Sequence, residues 1–261
     1  MEYRSQTTSR VARSLGVLLL TLSASAAEFA ISVRHERSLR DHPGILRIDD
    51  TGVSYEQVLT AAQQRKQPKR KKPFKLERAH WPYQEIQQLK VSRDKIVLLT
   101  YKDRLLFGGI DKEYEFFAMP NQSFEPLFAF LPAKMDQRFV AAYGVESVPQ
   151  WEMPVKLLGA IRGTEGTLQF LADSIVFRTS RRGEARTWRL QDIENISTSG
   201  PFQFTLTSFE RSKSEYSSLR GFNFQLKQRL QQEKFELLWR KLNRERNLPY
   251  LLQTLEETKP K

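Results

Sequence analysis

The sequence predicts a mainly β protein with some helix, built from two tandem copies of one domain. Each copy is expected to be a bent seven-stranded antiparallel sheet or barrel that is capped by a C-terminal helix. An internal repeat is the first observation, because residues 44–55 align without a gap on residues 166–177, and residues 81–89 align on residues 188–196. The other two observations are an alternation of apolar and polar residues inside the copies and a helical period at the end of each. Such a repeat indicates two small domains in this chain of 261 residues.

The period of the apolar residues assigns the elements. Phe202, Phe204 and Leu206 alternate with polar residues, and residues 97–101 do so less regularly. Successive side chains of a strand point to opposite faces, so these segments are predicted strands. In the last element of each copy the apolar residues recur at i, i+3, i+4 and i+7, which places them on one face of a helix. They are Phe124, Leu127, Phe128 and Leu131 in the first copy, and Phe235, Leu238, Trp239 and Leu242 in the second.

The ends of the two helices follow from residue type and charge. Pro132 is predicted to end the first helix, because proline has no N–H for the helical hydrogen bond. The second helix is predicted to be longer, from about residue 228 to about residue 246, with a charged outer face.

The N-terminus predicts export to a periplasmic or extracellular location. A basic start is followed by a short apolar run and then by small residues, which is typical of a secretory signal peptide. An uncleaved anchor or a transit peptide is the alternative, and after cleavage no transmembrane segment is expected. The predicted divisions are a signal peptide (1–26), a first domain (27–132) with a basic insertion (63–78), a linker (133–150), a second domain (151–246) and a tail (247–261).

Composition argues against several classes of site. The chain has no cysteine, which excludes a disulfide framework, a thiolate zinc site and a thiol nucleophile. His35, His42 and His80 are the three histidines, and no known catalytic or metal-binding spacing surrounds them. The sequence therefore predicts no enzyme, no metal and no cofactor. Most phenylalanines occupy inward positions, so stacking on nucleic acid bases is not expected.

A basic insertion is the clearest difference between the copies. Twenty-five residues separate Tyr55 from Trp81, whereas ten separate Phe177 from Trp188. Eight of the fourteen residues at 65–78 are basic and one is acidic, in a chain whose net charge is +12. Clustered cations attract phosphate, sulfate or carboxylate groups by additive, salt-sensitive Coulomb forces. Like charges and two prolines predict a loop that is disordered when free, and a solvated loop that binds nothing is the alternative.

The order of the elements resembles the pleckstrin-homology-like (PH-like) superfold, and its GRAM-like versions in particular. Residues 81–86 and 188–193, which begin with Trp81-Pro-Tyr and Trp188-Arg-Leu, look like the fourth strand and its following turn. The closing helices look like the helix of the superfold, which ends in a large apolar plug, here Phe128 in the first copy and Trp239 in the second. Another small barrel with a helix is the alternative fold.

The resemblance implies an anion site at one open end, where the loops after strands one, three and six meet. In this chain those loops hold Arg37 and Arg40, then the basic insertion, then Lys102. The match to the phosphate motif of the superfold is incomplete, because Arg34 or Arg37 stands where a lysine ends strand one, and Arg47 stands in strand two. The candidate anion-binding residues are Arg65, Lys66, Lys69, Arg70, Lys71, Lys72, Lys75, Arg78, Arg37 and Arg40.

These patterns predict an exported, non-enzymatic binding module. Its partner would be a protein or an anionic envelope surface, such as a lipid head group or a polyanion. Two alternatives stay open, namely a structural or scaffolding protein with a passive basic loop, and an enzyme with an unrecognised site at the domain junction.

Overall fold

The computed structural model describes most of the chain between the predicted signal peptide and the predicted tail. The described residues are 28–36, 41–69, 72–104, 107–159, 161–212 and 218–244. The signal peptide and the tail lie outside this part of the chain. We call residues 28–142 the first half and residues 143–244 the second half.

The described chain is mainly β, with fifteen strands and three α-helices. The strands of the first half are β1 (Phe29–Glu36), β2 (His42–Ile48), β3 (Gly52–Gln57), β4 (Arg78–Pro82), β5 (Ile86–Val91), β6 (Lys95–Arg104), β7 (Phe107–Ala118) and β8 (Phe139–Ala141). Those of the second half are β9 (Trp151–Leu157), β10 (Thr164–Phe170), β11 (Ser174–Arg178), β12 (Arg186–Arg189), β13 (Ile193–Ser197), β14 (Gln203–Arg211) and β15 (Leu219–Leu226). The helices are α1 (Ala61–Lys66), α2 (Leu127–Met135) and α3 (Gln232–Arg244).

All fifteen strands belong to one sheet, in which the two halves repeat the same strand order. The order is β5-β6-β7-β1-β2-β3-β4 in the first half and β13-β14-β15-β9-β10-β11-β12 in the second. The sequence predicts two separate sheets, and the structure differs because β8 lies between them. β8 pairs in parallel with β5 and meets β12 through Ala141 and Thr187. It covers an edge of each half, and unpaired sheet edges are otherwise prone to pair with other chains.

Each half has its own cluster of buried apolar side chains under the sheet. The two clusters are built around equivalent tryptophans. Trp81 packs edge-on against Tyr114 with ring centroids 4.7 Å apart, and Trp188 packs in the same way against Phe222 at 4.8 Å. The repeat in the sequence is therefore also a repeat of packing.

A glycine common to both copies has a steric reason. A Cβ atom at Gly44 would lie 2.3 Å from Cε2 of Tyr55, and one at Gly166 would lie 2.5 Å from Cε2 of Phe177. Since carbon atoms in van der Waals contact lie at about 3.5–4.0 Å, any larger residue would displace the ring. The aligned segments thus keep a glycine because an aromatic side chain of the next strand lies across the backbone.

The first closing helix differs from the prediction at its end. α2 continues three residues past Pro132, so the prediction that this proline ends the helix is wrong. Leu131 and Met135 lie one turn apart and are both fully buried. Burial of a methionine side chain stabilises the folded state by about 1.5–3 kcal/mol. This offsets much of the cost of the helical hydrogen bond that Pro132 cannot donate.

The second closing helix begins at Gln232, four residues later than predicted, and buries a different set of side chains. Phe235, Leu238 and Leu242 pack on the core, but Trp239 is 39% exposed, so the prediction that it plugs the core is wrong. Phe235, Leu238 and Leu242 stand at i, i+3 and i+7, so they define the inward face of the helix. Trp239 lies at the margin of that face. None of the described helices has the length and apolar character needed to traverse a bilayer.

The basic insertion contains a helix where the sequence predicts a disordered loop. Thr60 forms a capping box with Gln63, whose N–H donates to Thr60 Oγ1 at 3.3 Å, and whose Oε1 accepts the Thr60 N–H at 2.9 Å. This box satisfies two backbone donors at the start of α1, and good helix formers follow. A short 3₁₀ turn at Gln67–Lys69 ends the helical part.

Candidate functional site

A cleft of about 540 Å³ lies where the two halves meet. Its floor is the outer face of β5, β6 and β7, and its far wall is the turn between β11 and β12 together with the end of β14. Small-molecule pockets in proteins typically measure about 300–1,000 Å³, so the cleft has room for such a ligand.

The apolar part of the floor comes from β6. Ile96 and Leu98 are fully buried in the core of the first half, so Val97 and Leu99 point to the opposite face, where they line the cleft. This strand therefore carries apolar residues on both faces, which explains why its alternation in the sequence is irregular. The irregular run was the local signal for a covered outer face.

Two ion pairs beside the cleft connect the halves. Arg182 pairs with Asp94, and Arg211 pairs with Asp111, so each joins the second half to the first. Arg211 Nη1 also donates to Gln87 Oε1 at 2.9 Å. These contacts and β8 tie the halves together along the cleft.

A buried cluster of charges forms one wall. Glu210 on β14 is 5% exposed and faces three cations. Its Oε1 accepts hydrogen bonds from Lys90 Nζ at 2.8 Å and from Arg220 Nη1 at 2.7 Å. Its Oε2 lies 3.5 Å from Nε of the buried Arg186. Lys90 belongs to β5, so the cluster is a further link between the halves.

Burial and mutual attraction set the charges of the cluster. Burial lowers the pKa of Lys90 to about 8, against the pull of Glu210 and with help from Arg186 and Arg220. Burial alone would raise the pKa of Glu210, but the three cations hold it at about 2. Burial also lowers the pKa of Arg186. One carboxylate thus serves three basic groups, and Lys90 is the group closest to losing its proton at neutral pH.

The predicted anion-binding residues lie elsewhere, on and after α1. Five of them are exposed, namely Arg65, Lys66, Lys72, Lys75 and Arg78. Arg78 begins β4 and pairs with Glu56 at 2.6 Å. Lys69 ends the turn after α1. The others lie outside the described residues, namely Arg37, Arg40, Arg70 and Lys71.

The arginines that match the phosphate motif of the superfold are already paired. Arg34 Nη1 lies 2.6 Å from Asp41 Oδ2, and Arg47 Nη1 lies 3.0 Å from Glu28 Oε1. Part of each guanidinium is therefore already engaged by a carboxylate. The incomplete motif in the sequence therefore corresponds to two surface ion pairs in the structure.

The histidines lie away from the cleft. His35 is buried against the rings of Tyr55 and Phe116, with its Nδ1 3.5 Å from Glu77 Oε2, and it does not line the cleft. His80 Nδ1 bonds with the hydroxyl of Ser54 at 2.8 Å. No group of three His, Asp or Glu side chains that could hold a metal ion occurs among the described residues.

Sequence reasoning missed the cleft and its charge cluster, although one signal was present. Glu210 continues the buried series Phe204, Leu206 and Ser208 along β14, and Arg186 takes the inward position two residues before the buried Trp188. A charged residue at an inward position of a strand needs a buried partner of opposite charge. That rule predicts partners, but only the fold shows which residues they are.

Comparison with known proteins leaves the family open. No family model matches the chain, and no curated protein matches it. Among solved structures the chain is similar to the Spt16D Pob3N heterodimer, with 12% identity over 78% of this chain and 98% of that chain. The TM-score of 0.28 is too low to establish a shared fold.

Proposed function

We propose that this protein is an exported, non-enzymatic binding module made of two tandem PH-like domains, and that its basic insertion contacts an anionic surface. The proposed partner is a lipid head group, a polyanion or an acidic protein. The observation that carries the proposal is a set of exposed cations on and after α1, in an insertion that makes this connection fifteen residues longer than the equivalent turn between β11 and β12.

The repeated strand order supports two copies of a PH-like domain. In each half the first strand pairs with the second and the seventh, and a helix follows the seventh strand. Seven strands in this order, closed by a helix with an apolar face, are what the resemblance to the superfold implies. The separate buried clusters under the two halves support the same division.

The charges of the insertion support an anionic partner. Arg65, Lys66 and Lys75 form no ion pair with any carboxylate in the described part of the chain, whereas Arg34 and Arg47 on β1 and β2 are both paired. Unpaired exposed cations keep their full attraction for an external anion, because no ion pair must first be broken.

The end of the insertion is fixed to the sheet. The backbone N–H of Gln57 donates to Glu77 O at 2.9 Å, and the N–H of Glu77 donates to Gln57 Oε1 at 3.1 Å. Gln57 is itself buried and donates to His42 Nδ1 at 3.1 Å. The cations are therefore presented from a folded base at one edge of the sheet, next to β4.

Vesicle binding tests the proposal. The protein is expected to bind vesicles with anionic lipid but not neutral vesicles, and the affinity should fall as salt rises. Each cation near an anionic membrane contributes about 1 kcal/mol, so a variant with four substitutions should bind about 10³-fold more weakly. The four substitutions are Arg65→Gln, Lys66→Gln, Lys72→Gln and Lys75→Gln.

A charge-matched control separates the insertion from net charge. It replaces four exposed cations of the second half, Arg162→Gln, Lys227→Gln, Arg229→Gln and Arg240→Gln. The control should lose much less affinity than the insertion variant. Equal losses would show that overall charge, not the insertion, determines binding, and the proposal would then be wrong.

A further inference from the structure

Lys90 places an amine on the wall of the cleft. Its side chain is 21% exposed, and it lines the cleft together with Val97 and Leu99 of the neighbouring strand. A small molecule in the cleft would therefore contact the Lys90 side chain.

Burial of the Lys90 side chain favours its neutral form, and Arg186 and Arg220 act in the same direction, whereas Glu210 favours the charged form. Glu210 accepts the hydrogen bond of Lys90, but that carboxylate is shared with Arg186 and Arg220. The pKa of about 8 means that about a quarter of Lys90 is neutral at pH 7.5, against about one lysine in a thousand at the ordinary value of 10.5. A neutral amine is the nucleophilic form of lysine, and burial beside other cations is how reactive lysines are produced.

Lys95 provides an internal comparison in the same cleft. Its Nζ lies 2.6 Å from Glu115 Oε2, and its side chain is 31% exposed. Lys95 is thus slightly more accessible than Lys90, and its ion-pair partner is a different carboxylate, on β7.

We propose that Lys90 captures small aldehydes or ketones in the cleft as a reversible imine. The neutral amine attacks the carbonyl carbon, a C–N bond forms, and one proton moves from nitrogen to the carbonyl oxygen to give a carbinolamine. Solvent then protonates the hydroxyl, the C–O bond breaks and water leaves as the C=N bond forms, and the nitrogen returns its second proton to solvent, so amine and carbonyl compound give imine and water. The step needs no oxidant or reductant.

The lining of the cleft suits a small polar carbonyl compound. Val97 and Leu99 can contact its carbon chain, and carboxylates of β7 and arginines of the second half offer polar groups on either side. Both signs of charge are present, so the cleft sets no requirement for a charged ligand. This inference concerns the cleft and does not depend on the proposed role of the basic insertion.

Reductive labelling tests the proposal on the full chain. The protein is incubated with propanal and sodium cyanoborohydride, which traps an imine as a propylamine, and the modified lysines are identified by peptide mass spectrometry. At pH 7.5 Lys90 is expected to react at least about tenfold faster than Lys95 and exposed lysines such as Lys75. Its rate should level off above about pH 8, where most of the amine is already neutral.

Two controls keep the test decisive. In urea the advantage of Lys90 should disappear, because it depends on the folded cluster. A Lys90→Arg variant, checked for folding by circular dichroism, should lose the fast adduct while Lys95 and Lys75 react as before. Labelling of Lys90 at the rate of Lys95, or an advantage that persists in urea, would overturn the proposal.

Discussion

Replacing Glu210 with glutamine is expected to lower the free energy of unfolding by about 3–5 kcal/mol. The change leaves Lys90, Arg186 and Arg220 facing one another with no carboxylate between them. Arg186 is 5% exposed at its side chain and cannot turn to solvent without disturbing the sheet. Urea unfolding followed by circular dichroism measures the loss.

The same carboxylate predicts how stability depends on pH. The folded pKa of Glu210 is about 2, below its ordinary value of 4.5, so the folded state holds the charged form more tightly than the unfolded state does. The stabilisation is therefore fully present above pH 4.5 and is lost as the pH falls towards 2. A difference of that size corresponds to about 3 kcal/mol, and Glu210→Gln should remove this part of the acid sensitivity.

An exposed glutamate serves as the matched control. Glu165 pairs with Lys227 on the surface and is 59% exposed, so Glu165→Gln should change the free energy of unfolding by less than about 1 kcal/mol. Equal effects of the two substitutions would mean that the buried cluster contributes no more than a surface pair.

Replacing Trp188 with alanine is expected to lower the free energy of unfolding by about 3–5 kcal/mol, because it removes a buried indole ring and leaves a cavity. Trp188 is 3% exposed and packs against Phe222 and Phe224, with ring centroids 4.8 and 6.3 Å away. The free energy of unfolding of a small domain is about 5–15 kcal/mol in total. The second half should therefore melt well below the wild-type temperature. Differential scanning calorimetry measures the shift.

Trp239 is the matched control for this substitution. Its side chain lies at the margin of α3 and is 39% exposed, so Trp239→Ala should cost about 1 kcal/mol or less. Sequence patterns predict a buried ring at both positions, by strand alternation at Trp188 and by helical period at Trp239, whereas in the structure only Trp188 is buried. A larger destabilisation by Trp239→Ala than by Trp188→Ala would show that the inward face of α3 is misassigned.

Local patterns explain how much of the fold could be predicted from the sequence. Alternation places Phe204 and Leu206 inward on β14, and the aligned glycines and tryptophans fix equivalent elements in both halves. Such patterns report which face of an element is covered. They do not report what covers it. The β character and the repeat could therefore be predicted from the sequence, whereas the junction between the two halves could not.

The remaining features depend on contacts between distant residues or on short local motifs. The parallel pairing of β8 with β5 joins residues about 50 positions apart and involves three residues, too few for a periodic signal. Lys90 and Glu210 are 120 residues apart, so no local pattern relates them. The helix α1 could have been predicted, because Thr60 and Gln63 form a recognisable capping box. The high charge of the insertion instead favoured the prediction of a disordered loop.

Hydrogen exchange at β8 tests most directly the central claim, that one sheet runs through both halves. The N–H of Ala142 donates to Val91 O at 2.8 Å, beside the parallel pairing of β8 with β5. If β8 joins the halves, the amide of Ala142 on the β5 side and the amide of Thr187, which pairs with Ala141 on the β12 side, should both be protected about 10³-fold or more, as amides of β6 in the core are expected to be. Exchange of either amide at the rate of an unstructured peptide, while β6 stays protected, would contradict a continuous sheet.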